Sequence, residues 1–194
     1  MNKLTSAIDA ADAVVLFVDL EHGIIELTQT NPMEKLRKAV SGLARLARIF
    51  EMPVIVSAVQ DENGTPAEII PEIAKEAGPV PTHHRTTCNS FRDAEIVASI
   101  QSTGRRTLLI AGVATELAVQ LPAITAAELG YRVYVVLDAC GGISERTEQA
   151  ALLRITKAGG ATVSVMTLAG EIAGDFREAR AQQAVGILYE MAKA

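Results

Sequence analysis

Three stretches of this sequence carry residue types and spacings suited to chemistry. Asp19 follows an apolar run in AVVLFVD (13–19). A carboxylate placed there is desolvated unless it is paired, so it is either a structural cap on nearby backbone or a proton carrier with a shifted pKa. GVATELAV (112–119) turns from an apolar run into a helical one. Thr115 there reads as an ordinary N-cap with Glu116 in the favourable first turn. The backbone N–H groups at that helix start also point outward and could hold an oxyanion. Where a nucleophile would be sought, Ala118 offers a methyl group. The third stretch is Asp138 to Gly142, with Asp138 expected to serve the loop structurally and Cys140 to line or pack the site.

The elements that must position these residues follow from periodicity. Buried strands are predicted at 13–19, 54–59, 107–113, 132–139 and 161–167, with a brief extended segment near 80–84, because these runs are short, apolar and mostly rich in Val. Helices are predicted at 33–50, where Met33, Leu36, Val40, Leu43, Leu46 and Ala47 share one face, and at 66–77, 93–102, 116–129 and 145–158. One or two more close the chain toward Ala194. Residues 60–65 read as a loop, Gly130 as a helix C-cap, and Pro122 as an irregular or early-turn point. Strands alternating with helices imply a three-layer α/β/α sandwich on a mainly parallel, Rossmann-like sheet of about six strands, in one domain over 1–194. Ligands in such sheets bind outside the carboxyl ends of the strands, which is where Asp19, the 112–118 turn and 138–142 all fall.

Composition narrows the function. The 194 residues carry a net charge of −5, which argues against nucleic acid and for a small-molecule substrate. No run reaches a membrane span, and MNKLTSAIDA lacks a signal-peptide core, so a cytoplasmic protein is expected. The two cysteines, Cys88 and Cys140, have no framework spacing. Tandem His83 and His84 cannot both face one site on an extended backbone. We expect no metal and no cofactor, with His84 or His83 touching substrate.

VVLFVDLEHGI, RTTCNSF, LLIAGVATELAV and GYRVYVVLDACGG, in this order and spacing, resemble the isochorismatase-like superfamily of cysteine hydrolases, and most of all its YcaC-like branch. The likeness runs from about Asp12 to Phe176. It implies hydrolysis of a small amide or imide C–N bond by an Asp-Lys-Cys triad. Asp19 matches the Asp, Arg85 the Lys and Ala118 the Cys. It also implies oxyanion donors at Ala114 and Ala118, a cis peptide at Val113–Ala114, a pocket including Glu21, His84, Asn89, Phe91 and Cys140, and a homo-oligomer. Asn89 would orient a loop and Phe91 line the pocket. Zinc-binding relatives carry a His after the second strand, where this chain reads SAVQDENG.

Three departures stand out. Arg85 keeps the charge of Lys, but its planar guanidinium could instead grip a substrate carboxylate. Glu21 stands where the family often has Gln and would add negative charge if it points inward; a surface-facing Glu21 is equally compatible with the sequence. Ala118 can neither attack a carbonyl nor carry an acyl group, so thioester catalysis there is excluded. Three origins fit: an engineered Cys-to-Ala form, a natural homologue such as an isochorismatase-type vinyl ether hydrolase using Asp19 without a thiol, or a non-catalytic binding or assembly homologue.

Overall fold

The computed structural model describes residues 7–60, 64–65 and 68–193. Within them a six-stranded sheet runs in the order β3-β2-β1-β4-β5-β6. The strands are β1 (Ala13–Val18), β2 (Val54–Val59), β3 (Thr82–Arg85), β4 (Thr107–Val113), β5 (Arg132–Gly141) and β6 (Ala161–Val163). Every neighbouring pair is parallel. The helices are α1 (Met33–Ile49), α2 (Pro71–Ala77), α3 (Ala94–Ser102), α4 (Gln120–Glu128), α5 (Glu145–Lys157), α6 (Val165–Ala173) and α7 (Ala179–Ala192). The expected α/β architecture is present.

The core is built from Ala, Val, Ile and Leu because both sheet faces are covered. All six residues of β1 and all seven of β4 are buried. On α1, Leu36, Val40, Leu43, Leu46 and Ala47 are fully buried, each Leu contributing roughly 1.5–3 kcal/mol. Asp12, at the start of β1, accepts hydrogen bonds from the Arg106 amide, Thr107 Oγ1 and Arg132 Nη2. That clasp fixes the amino ends of β1, β4 and β5 and leaves their carboxyl ends to converge. Among the described residues no helix is long and apolar enough to cross a membrane.

Several boundaries differ from those read in the sequence. The strand expected over 161–167 stops at Val163. The Ser164 side chain accepts from the Thr167 amide and starts α6, so a cap overrides the apolar β-branched run. The helix expected over 66–77 begins at Pro71, a favourable first position, while Ile69 bridges antiparallel to Glu21. Residues 66 and 67, three of the 60–65 loop (61–63), the first six of the chain and Ala194 lie outside the described residues. The helix expected over 116–129 opens as a π-helical turn (Thr115–Val119) before α4, with Pro122 in the first turn of α4. β5 extends to Gly141, so Cys140 lies within the strand rather than after it.

Candidate active site

The strand order reverses between β1 and β4, which leave the centre of the sheet with their crossovers running in opposite directions. This is the crevice where doubly wound sheets take ligands. Gly112 is paired opposite Val18 there, with φ +153, and a Cβ on it would sit 1.9 Å from the Val18 carbonyl oxygen. The absence of a side chain lets the turn after β4 close on the end of β1.

Asp19 is the first residue past β1 and has φ +49, a left-handed conformation that Asp tolerates better than most residues. Its amide donates to the Ser57 carbonyl at 2.9 Å, tying it to β2. The side chain is buried, and Oδ2 accepts from Arg85 Nη2 at 2.7 Å. Oδ1 has no hydrogen-bond partner among the described residues. Burial pushes the Asp19 carboxyl above its ordinary range, and the Arg85 charge and hydrogen bond offset part of that rise.

Arg85 ends β3, in register with Val59 of β2. Its side chain is wholly buried. Nε donates to Ser90 Oγ at 3.2 Å, Nη1 to the Thr87 carbonyl at 2.7 Å, and Nη2 to Asp19. Ser90 Oγ in turn lies 3.2 Å from Ser57 Oγ. All three guanidinium nitrogens are therefore engaged by the protein. Three of the five Arg85 N–H donors are thereby committed to Asp19 and the 87–90 loop, while the residue also lines an adjoining cavity. Ser57 and Ser90 were not singled out in the sequence, although a hydroxyl inside the buried run VIVSAV was a signal for the first.

Glu21 points inward. It is 2% exposed, so the surface-facing alternative is removed. The Val59 amide favours the charged form of its carboxyl, while Oε2 has no partner among the described residues. Burial first, then the charge of Asp19, push the Glu21 carboxyl up to about 7, with Arg85 pulling the other way. Two buried carboxyl groups thus share one buried cation.

The turn after β4 carries the Val113–Ala114 cis peptide bond. The amides of Leu117 and Val119 both donate to the Ala114 carbonyl. Thr115 Oγ1 donates to Glu148 Oε1 at 2.7 Å, and Glu116 Oε1 accepts from the Ile143 amide and from Thr147 Oγ1. The side chains of Thr115 and Glu116 hold the turn against α5 and the 142–144 loop, and Ala118 is buried within that turn.

A cavity of about 450 Å³ opens beside this cluster, lined by Val59, Gln60, Arg85, Thr87 and Cys88 among others. Asp19, Glu21 and Ala118 are not among the residues lining it, and neither are the other residues expected in the pocket. His83 bonds Ser99 of α3, and alternation along β3 sends His84 to the face opposite His83 and Arg85. Phe91 packs edge-on against Tyr131, ring centroids 6.0 Å apart, at the amino end of β5, and does not line that cavity. Asn89 orients its loop: Oδ1 accepts from the Phe91 amide and Nδ2 donates to Thr125 Oγ1. Cys140 is buried, its thiol pushed far up by desolvation, and it lines a separate cavity of about 350 Å³ with Asn31, Asp138 and Glu148. Asp138 accepts from the Val165 amide at the start of α6, a structural contact.

Fold and site together define the class, and the sequence match agrees: the chain belongs to the isochorismatase family, whose Isochorismatase domain matches residues 13–167. Among individual relatives, it is 33% identical over 178 residues to the probable hydrolase YcaC of Escherichia coli K12, covering 91% of this chain and 85% of that protein. The structure of Escherichia coli YcaC, described as an octameric hydrolase of unknown specificity, superposes with a TM-score of 0.87 at 30% identity over 98% of this chain and 92% of that one. YcaC from Pseudomonas aeruginosa, with hexane-2,5-diol and covalent acrylamide, gives a TM-score of 0.88 at 29% identity, covering 97% and 95%.

Proposed function

We propose that this chain hydrolyses a small, neutral amide or related C–N bond by acid–base chemistry at Asp19, without a thiol and without an acyl-enzyme. The observation that carries the reading is the buried Asp19–Arg85 pair at the carboxyl ends of β1 and β3; the family resemblance aligns Ala118, a methyl, with the thiol of its relatives. Asp19 takes a proton from water as the water oxygen attacks the substrate carbonyl carbon. Backbone N–H groups at Ala114 and Ala118 hold the resulting oxyanion. The C–N bond then breaks, with a proton delivered to the departing nitrogen. Arg85 keeps Asp19 oriented and ionised enough to act as base. The exposed Leu117 and Leu129, at the two ends of the α4 region, suit burial in a homo-oligomer, and the Escherichia coli relative is an octamer. Free Cys88 and Cys140 suit a reducing, cytoplasmic setting.

A second reading, a ligand-binding or assembly subunit without turnover, is favoured by Ala118 alone. The test is a paired assay of this chain and its Ala118→Cys variant against a panel of small amides and isochorismate, with intact mass followed. Turnover by the unaltered chain with no mass adduct supports the proposal. Turnover and an adduct confined to Ala118→Cys would mark a disabled thiol hydrolase instead, and silence from both would favour the binding subunit.

A further inference from the structure

We propose that Glu21 is the proton donor of this site, the acid that serves the departing nitrogen while Asp19 serves as base. The assignment rests on the hydrolytic reading above and supplies the proton which that reading leaves without a source. Glu21 lies two residues beyond Asp19, and its carboxyl is buried at the carboxyl end of β2, where the Val59 amide meets it. Val59 also lines the cavity beside Arg85. One carboxyl oxygen, Oε2, is buried and bonded to no described residue.

The two carboxyl groups are made unequal by their surroundings. Asp19 has the direct ion pair with Arg85, whose other nitrogens are committed to Ser90 and Thr87. Among the described residues Glu21 has no ion pair, and the Val59 amide that favours its charged form is neutral. The charges acting on it are Asp19, from its own turn, and Arg85, from β3. His22, the neighbouring titratable group, pairs with Glu26 on the outside. One cation beside two desolvated carboxyls favours one negative charge, and the ion pair places that charge on Asp19 and the proton on Glu21. Carboxyl pairs whose environments push their acidities apart are the usual way one site supplies both an acid and a base.

The step balances. Water gives one proton to Asp19 as its oxygen bonds to the carbonyl carbon. The C–N bond breaks as Glu21 gives its proton to nitrogen, releasing acid and amine. Asp19 then returns its proton to Glu21, directly or through solvent, and the starting state is restored.

The test has two arms on the full chain. In the first, Glu side-chain carboxyl carbons are labelled with 13C and titrated by NMR. One glutamate should titrate near 7, vanish in Glu21→Gln, and move to lower pH in Asp19→Asn, where the repelling charge is gone. A Glu21 midpoint in the ordinary range near 4.5, indifferent to Asp19→Asn, overturns the proposal. In the second arm, Glu21→Gln is compared on an alkyl amide and on an anilide with a better leaving group. The alkyl amide should lose about 10²–10⁴-fold in kcat/KM and the anilide much less. Equal losses on both overturn the donor role. Absence of turnover across the whole panel removes the donor role together with the hydrolytic reading, while a titration near 7 would still stand as a separate result.

Discussion

Replacing Arg85 by Met should destabilise the fold and should do so most at neutral and alkaline pH. The guanidinium is wholly buried and sits 2.7 Å from Asp19. Removing one partner of a buried pair leaves an uncompensated charge and typically costs about 3–5 kcal/mol. Here the cost also falls on Glu21, which Arg85 pulls toward ionisation. The sign with pH follows from linkage. Without the cation, both folded-state carboxyl pKa values rise further above their unfolded values of 3.8 and 4.5. The folded variant then binds more protons than the unfolded chain, and its stability falls as pH rises through that window. The deficit relative to the parent should therefore be largest near pH 8 and shrink toward pH 5. The double variant Asp19→Asn with Arg85→Met should cost less than the two single costs added, because it removes both charges of the ion pair. Urea unfolding at fixed protein concentration, at pH 5 and 8, reads all of this. Additive losses that do not change with pH would refute the reasoning.

Other consequences are simpler to check. Glu21→Gln should gain on the parent as pH rises from 4.5 to 7, by about 3 kcal/mol at pH 8, because the parent must ionise a buried carboxyl whose pKa is raised to about 7; urea midpoints across pH measure it. Gly112→Ala should cost about 3 kcal/mol or more, since its Cβ would meet the Val18 carbonyl at 1.9 Å and backbone must move; thermal melts show whether it does. In native protein a thiol reagent should modify exposed Cys88 quickly and buried Cys140 only after denaturation, and Cys88 adducts should obstruct the adjoining cavity.

The sheet was legible because its strands are buried on both faces and read as continuous apolar runs, and because Gly and Pro punctuate them. The 161–167 segment misled for the same reason: an apolar β-branched run does not distinguish a strand from a capped helix start, and Ser164 decided it. Asp19 could be found from its position after AVVLFV alone, whereas Arg85 came only through the family resemblance. The inward turn of Glu21 was not legible, because it depends on the bridge to Ile69 and the Val59 amide, contacts between segments far apart in sequence. Phe91 and Cys140 fit the pocket by sequence position, but Tyr131 and the course of β5 carry them away from Arg85. The three nitrogens of Arg85 likewise find partners that only the fold assembles.

The measurement that bears most directly on the central claim is kcat/KM for the best small amide of the panel, compared between this chain and Asp19→Asn. Asn keeps the shape and can still accept from Arg85 but cannot take a proton from water. A loss of about 10²–10⁴-fold, with folding retained, is the predicted result. Equal rates for the two proteins would contradict Asp19 as the base and, with it, the account of this site.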